Sequence, residues 1–229
     1  MLDGRWKGDI ERGLRPVGTN LKKAGITADH LTALGLVMAV AASVAIGMGA
    51  LRGGLVLLVL AAVPDALDGA VAKASGTASP RGAFFDSVAD RVTDALLLGG
   101  TAWFLASRYD GHMAVLPLAV LGASMLISYE RAKAEGLGFS ARGGIMERAE
   151  RIVALAFGLL FDSLLVPVLW VMLALTMFTA VQRFVMVWRQ ASSAVPPVRS
   201  ASRWRARRTA RPRNAARGAW RTRAGRRSR

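Results

Sequence analysis

Five aspartates are crowded into one short segment of the chain, and strongly apolar sequence bounds that segment on both sides. The apolar runs lie at 53–63 and 95–106. Carboxylates beside lipid-facing sequence are costly, so they normally face a water-filled cavity or a partner. This feature predicts an internal polar site among membrane helices. The five residues are Asp65, Asp68, Asp86, Asp90 and Asp94.

The spacing of these aspartates places them on two helix faces. Asp65 and Asp68 are three residues apart, and the other three follow one another at intervals of four from Asp86 to Asp94. Residues at such intervals share one face of a helix. Two antiparallel helices with those faces opposed would bring four carboxylates together, and hard divalent cations relieve the resulting repulsion. The pattern predicts magnesium or manganese, and two cations about 4 Å apart suit phosphoryl transfer.

Small and basic residues beside the first two aspartates suit a phosphate-bearing ligand. Gly69 lets a ligand approach the backbone closely. Ala72 keeps the same part of the helix narrow, and Lys73 supplies a cation for a phosphate. We therefore expect this segment to hold the phosphate-bearing part of a substrate.

An alternative interpretation is that the carboxylates form ordinary ion pairs. Only three basic residues lie near them in the sequence, namely Lys73, Arg81 and Arg91. Helical spacing places Arg91 off the face that carries Asp86 and Asp90. Because unpaired carboxylates are seldom kept inside membranes without a function, the ion-pair interpretation is the weaker one.

Composition predicts an all-α integral membrane protein with six transmembrane helices after an N-terminal amphipathic interfacial helix. Hydrophobic residues make up 53% of the chain, its mean hydropathy is +0.34, and it has no cysteine. A spanning helix needs about 20 apolar residues, and Arg52-Gly53-Gly54 favours a turn after the first span. The predicted spans are 31–51, 55–74, 82–106, 112–133, 147–161 and 164–188.

Three regions follow from the distribution of charge and apolar residues. Residues 1–30 are interpreted as an interfacial helix and linker, which lies on anionic lipid or packs on protein. Residues 31–190 form the membrane domain. Residues 191–229 form a tail that we expect to be disordered and cytoplasmic, because it is rich in arginine and lacks helical periodicity.

The basic charge of the protein belongs mainly to this tail. Residues 199–229 contain thirteen arginines and no acid, and removing these charges from the net +16 leaves +3 for 1–198. Attraction to anionic lipid, nucleic-acid binding and the absence of a dedicated role are all compatible with such a tail. Attachment to a membrane domain favours lipid over nucleic acid.

The positions of basic residues predict the orientation in the membrane. Six lysines and arginines precede the first span, and others lie near the ends of the second and fourth spans. The opposite side carries Arg52 and Arg108. We therefore expect a multi-pass protein of the cell membrane with both termini and the acidic site facing the cytoplasm.

A second group of charges lies at the predicted cytoplasmic helix ends. Several cations beside a carboxylate site could bind an acceptor that itself carries a phosphate. The alternative is that they extend to the interface or form pairs at intervals of four, such as Arg131 with Glu135 and Glu147 with Arg151. The group consists of Arg131, Lys133, Arg148, Arg151 and Arg183.

The aspartate pattern resembles a known family motif. The arrangement Asp65-x2-Asp68-Gly69-x2-Ala72-Lys73-x8-Gly82-x3-Asp86-x3-Asp90 is similar to that of the CDP-alcohol phosphotransferases. Lys73 stands where that family usually has arginine, and lysine keeps the charge but loses the bidentate fork. The resemblance implies a homodimer that joins CDP-diacylglycerol to an alcohol and releases CMP.

The resemblance also implies a role for each motif residue. Asp90 would act as the general base on the acceptor hydroxyl. The cytidine diphosphate part of the substrate would be held by Gly69, Ala72 and Lys73. Two magnesium or manganese ions would be bound by Asp65, Asp68, Asp86 and Asp90.

Two further stretches, 128–153 and 181–188, resemble actinobacterial phosphatidylinositol phosphate synthases. This implies inositol phosphate as the acceptor, with its phosphate bound by Arg131, by Arg148 or Arg151, and by Arg183. Phosphatidylglycerophosphate synthase, with glycerol phosphate as acceptor, is the second interpretation. A cation transporter and a non-catalytic membrane scaffold are the remaining alternatives.

Overall fold

The computed structural model describes residues 27–62, 79–109, 111–141 and 143–193. Within these ranges the chain is helical and contains no strand. Two short 3-10 turns, Gly111–Ala114 and Asp162–Leu164, precede the fourth and sixth helices. The described helices are α1 Ala28–Gly47, α2 Leu51–Ala62, α3 Pro80–Arg108, α4 Val115–Gly136, α5 Arg148–Leu160 and α6 Leu165–Ser193.

Local sequence explains where α1 and α3 begin. Thr27 caps α1, because its hydroxyl accepts from the backbone N–H of His30 and its own N–H donates to the His30 Nδ1. Ser79 caps α3 by accepting from the Gly82 N–H at 3.1 Å. Pro80 follows at the first helical position, where its missing N–H costs nothing.

Three of the described helical segments are long and apolar enough to cross a membrane, namely Asp29–Gly47, Gly111–Gly136 and Asp162–Ser193. Their outer surfaces carry exposed large apolar side chains such as Val37 and Trp170. Such surfaces suit lipid rather than water. The all-helical membrane class predicted from composition is confirmed at this level. The predicted N-terminal helix and the tail lie outside the described residues, except for 27–30 and 191–193.

The predicted turn at Arg52-Gly53-Gly54 is wrong, because these residues lie inside α2. The chain turns earlier, at Gly49, which adopts a left-handed φ of +85° that favours glycine. Gly54 instead allows close packing, since an added Cβ would lie 2.4 Å from Cγ1 of Ile46. Gly54 therefore marks a close contact between α1 and α2 and not a chain reversal.

The contact between α1 and α3 depends on Gly100. A Cβ at this position would lie 2.4 Å from the Ser43 carbonyl oxygen, and the Ser43 hydroxyl donates to the Leu96 carbonyl at 2.7 Å. The two backbones are therefore almost in contact, and this contact fixes where α3 lies along α1.

Gly100→Ala is expected to lower the free energy of unfolding by about 1–3 kcal/mol, because overpacking against backbone has no cheap relief. Gly99→Ala is the matched control: nothing lies within 4 Å of its added Cβ, and alanine favours a helix over glycine by about 1 kcal/mol. Thermal unfolding in detergent measures both variants. Equal stability of the two would contradict the close approach of α1 and α3.

Candidate active site

The first half of α3 carries the aspartate row predicted from spacing. Asp86 and Asp90 are half-buried, and Asp94 is 6% exposed. Helical structure over Pro80–Arg108 confirms that these three residues share one face. The other predicted metal and nucleotide residues lie outside the described residues, so their placement stays a prediction: Asp65, Asp68, Gly69, Ala72 and Lys73.

Two arginines at the start of α5 meet this aspartate row. Arg148 Nη1 lies 2.8 Å from Asp90 Oδ1, and Arg148 Nε lies 3.6 Å from Asp94 Oδ1. Arg151 Nη2 donates to Asp94 Oδ2 at 2.9 Å, and both side chains are 6% exposed. The site therefore alternates two acids with two cations across the contact between α3 and α5.

Ion pairing at the aspartate row is more extensive than the bases near it in sequence predict. Arg148 and Arg151 are more than fifty positions from Asp90 and Asp94 along the chain. A signal for the pairing does exist: Asp90 and Asp94 are four apart on one helix, and Arg148 and Arg151 are three apart on another. Such rows are complementary when two helices pack together.

Arg91 contacts Asp90, although helical spacing predicts that it lies off the aspartate face. Its Nη2 lies 3.3 Å from Asp90 Oδ2, and its Nη1 donates to the Ser128 hydroxyl of α4. A long, flexible arginine side chain reaches around the helix, so the position of its Cα does not decide its partners. Asp90 is consequently contacted by guanidinium groups from both α3 and α5.

Arg183 is the most enclosed of the predicted acceptor residues, with 4% exposure. Its Nη1 donates to the Ile127 carbonyl at 3.1 Å, its Nε to the Gly143 carbonyl at 3.2 Å, and its Nη2 to Glu147 Oε1 at 3.3 Å. A guanidinium has five N–H donors, so two remain beyond these three bonds.

The other two predicted acceptor residues are exposed. Arg131 Nε pairs with Glu135 Oε1 at 3.0 Å, as the interval of four predicted. Exposed pairs of this kind contribute about 0–1 kcal/mol, so the pair can open at little cost. Lys133 is exposed near the end of α4. The structure thus joins Arg148 and Arg151 directly to the aspartate row and leaves Arg131 and Lys133 at the surface.

The donor chemistry of the row fits a hard divalent cation. Asp86 and Asp90 present carboxylate oxygens one turn apart, which are ligands that magnesium and manganese accept. No group of three or more potential metal ligands is present within 27–62, 79–109, 111–141 and 143–193. Asp65 and Asp68, the other two predicted ligands, lie outside the described residues, so the four-carboxylate site stays a prediction.

Comparison with known proteins places the chain in a family. Residues 25–194 match the family described as CDP-alcohol phosphatidyltransferase. The chain belongs to this family. The match covers every described helix, and it confirms the resemblance drawn from the aspartate motif.

Individual members of the CDP-alcohol phosphatidyltransferase family are similar over most of the chain. The phosphatidylinositol phosphate synthase of Corynebacterium glutamicum is 37% identical over 182 residues, covering 76% of this chain and 83% of that protein. A crystal structure of the Mycobacterium tuberculosis phosphatidylinositol phosphate synthase with CDP-DAG bound has a TM-score of 0.72 and 31% identity, covering 77% of this chain and 94% of that one. A crystal structure of the same synthase with manganese and citrate has a TM-score of 0.72 and 30% identity, covering 76% and 88%.

Proposed function

We propose that this protein transfers the phosphatidyl group of CDP-diacylglycerol to inositol phosphate, forming phosphatidylinositol phosphate and releasing CMP. Family membership and the similar synthases support the reaction. The observation that supports a phosphorylated acceptor is the contact of Arg148 with Asp90 at 2.8 Å. It puts a phosphate-binding group beside the carboxylate that we assign as the base.

In this proposal Asp90 takes the proton from the acceptor hydroxyl. The acceptor oxygen then bonds to the phosphorus that carries the diacylglycerol, and the bond from that phosphorus to CMP breaks. A carboxylate is an ordinary proton acceptor in such steps when it is held within hydrogen-bond reach. Gly69, Ala72 and Lys73 bind the cytidine diphosphate part, with Lys73 replacing the arginine usual in the family.

The carboxylates of the motif provide a site for divalent cations. The proposed ligands are Asp65 and Asp68 from the segment after α2, and Asp86 and Asp90 from α3. Magnesium or manganese bound there, in two sites, would neutralise the charge of the diphosphate. The similar synthase with manganese supports this assignment.

The acceptor phosphate is assigned to the cations at the ends of α4, α5 and α6. Arg148 and Arg151 approach the aspartate row directly. Arg183 keeps two N–H donors beyond its three bonds to described residues. Arg131 and Lys133 are exposed at the end of α4 and complete the proposed pocket.

The proposed topology has six spans. Three described helical segments meet the length and hydropathy that a span requires. The others are α2 continued through the segment that follows it, α3 and α5. Both termini and the site are assigned to the cytoplasmic side of the cell membrane, and the protein is assigned as a homodimer. The N-terminal segment, which lies outside the described residues apart from 27–30, is assigned to the membrane surface.

The test is CMP release by the purified protein in detergent with CDP-diacylglycerol and magnesium. Inositol phosphate, inositol, glycerol phosphate and serine are added singly. We expect release with inositol phosphate alone. Release with glycerol phosphate instead would make the protein a phosphatidylglycerophosphate synthase, and release with none would overturn the enzyme assignment for these acceptors.

Arg148→Met sharpens this test. Loss of a charged hydrogen bond costs about 1.5–3 kcal/mol, so KM for inositol phosphate should rise by about tenfold or more, while KM for CDP-diacylglycerol stays within about twofold. Arg108→Met is the matched control, because Arg108 pairs with Asp162 in an exposed contact at 3.2 Å outside the site. An unchanged acceptor KM in Arg148→Met would contradict the phosphate assignment.

A further inference from the structure

Residues 137–147 connect α4 to α5, and all of them except 142 are described. Three side chains of α6 hold the backbone of this connection. The Thr179 hydroxyl accepts from the Met146 N–H at 3.1 Å. Arg183 donates to the Gly143 carbonyl at 3.2 Å. The Gln190 amide accepts from the Ser140 N–H at 3.0 Å and donates to the Ser140 carbonyl at 2.7 Å. We call Thr179, Arg183 and Gln190 the α6 latch.

The latch residues lie on one face of α6, because intervals of four and seven residues correspond to about one and two helical turns. They bind the connection near its beginning, its middle and its end. Thr179 is fully buried, and so is Ala141 in the connection itself. The described part of the connection is therefore bonded to α6 at Ser140, Gly143 and Met146.

Gly144 confirms how closely the connection approaches the latch. Its φ is +158°, and an added Cβ would lie 2.5 Å from Cγ2 of Thr179. Only a residue without a side chain fits between the connection and α6 at this point. The methyl group and the hydroxyl of Thr179 thus both define where the backbone lies.

The latch controls the start of α5. The N-cap residue Glu147 makes no side-chain capping bond to its own helix, and its carboxylate accepts from Arg183 instead. Arg148 is the next residue, and Arg151 follows within the same turn. The position of both arginines against Asp90 and Asp94 is therefore set by α6, through the connection that α6 holds.

We propose that Thr179 and Gln190 are positioning residues for the acceptor site. Neither is assigned to a substrate; both act by holding the connection that places Arg148 and Arg151. This inference rests on the proposed function, in which those arginines bind the acceptor phosphate. Ionic recognition of a phosphate needs donors held in place before the ligand arrives. Loss of the latch then weakens acceptor binding without touching the nucleotide-binding segment.

The kinetic test uses Thr179→Val, which removes the hydroxyl and keeps the shape. KM for inositol phosphate should rise about tenfold or more, since a misplacement of roughly 1 Å can cost about a hundredfold, with KM for CDP-diacylglycerol unchanged. Gln190→Ala should act in the same direction but less, because its bonds are exposed. Thr179→Ser keeps the hydroxyl and loses the methyl group, so its acceptor KM should lie much closer to the wild-type value than that of Thr179→Val.

Thr176→Val is the matched control. Thr176 is also fully buried on α6, but among the described residues its hydroxyl bonds only the Met172 carbonyl of the same helix, at 2.6 Å. The KM of Thr176→Val for inositol phosphate should equal that of the wild type. Equal rises of both substrate KM values in Thr179→Val, or the same rise in Thr176→Val, would overturn the proposal, because they would indicate general loosening of the helix.

A second measurement does not depend on turnover. The chain has no cysteine, so Ala141→Cys introduces a single thiol at a buried position of the connection. Maleimide labelling should be slow in this parent and several times faster when Thr179→Val is added, with no acceleration by Thr176→Val. Unchanged labelling overturns the latch. If the wild type releases no CMP with any acceptor, the proposed function fails, and labelling still decides whether the latch holds the connection.

Discussion

Asp90→Asn is expected to lower the rate of CMP release by about a hundredfold to ten-thousandfold, which is the contribution typical of a general base. Asparagine keeps the size of the side chain and one side-chain oxygen, but it cannot take a proton from the acceptor hydroxyl. The variant therefore keeps an uncharged oxygen beside Arg148, which lies 2.8 Å from Asp90 Oδ1 in the wild type. The measurement is kcat for CMP release at saturating inositol phosphate and CDP-diacylglycerol.

Asp162→Asn is the matched control for this substitution. Asp162 pairs with Arg108 in an exposed contact, so its variant should keep the wild-type kcat. Binding of CDP-diacylglycerol to Asp90→Asn is measured separately and should persist, because Gly69, Ala72, Lys73 and three of the four proposed metal ligands are unchanged. A kcat within tenfold of the wild type would remove Asp90 from the role of base.

Arg151→Met is expected to lower the free energy of unfolding by about 3–5 kcal/mol, because removing one partner of a buried ion pair leaves the other charge uncompensated. The remaining contact of Asp94 with Arg148 Nε is longer, at 3.6 Å, against the 2.9 Å that is lost. Arg148 therefore compensates only part of the loss. Thermal unfolding of the full chain in detergent measures the effect.

Two variants complete this second experiment. Asp94→Asn combined with Arg151→Met removes both charges and should recover much of the stability, since replacing a buried pair by uncharged residues is often neutral. Arg108→Met breaks an exposed pair and should change the stability by no more than about 1 kcal/mol. If Arg151→Met is no less stable than Arg108→Met, the pair with Asp94 does not stabilise the contact between α3 and α5.

The aspartate row shows how much a local pattern can predict. Helical spacing depends only on positions along the chain, so the shared face of Asp86, Asp90 and Asp94 follows from the order of residues alone. The helix α3 begins at Pro80 and ends at Arg108, within two residues of the predicted span. The family resemblance rested on the motif from Asp65 to Asp90, which includes two aspartates of this row, and the match over residues 25–194 confirms it.

The turn between α1 and α2 shows where local patterns fail as predictors. Gly53 and Gly54 have the composition of a turn, but the close approach of Ile46 gives Gly54 a packing role inside a helix. Glycine serves both purposes, because it lacks a Cβ in either setting. Only knowledge of the neighbouring helix separates the two.

The amino-acid sequence by itself determined that this chain is an all-helical membrane protein with a row of carboxylates on one helix face, because hydropathy and helical periodicity are local properties. Only the tertiary structure decided that Arg151 pairs with Asp94 across 57 positions of the chain. It alone decided, too, that Thr179 and Gln190 hold the connection that leads to Arg148. Such contacts depend on which helix faces pack together, and residues far apart in the chain carry no local pattern that specifies their meeting.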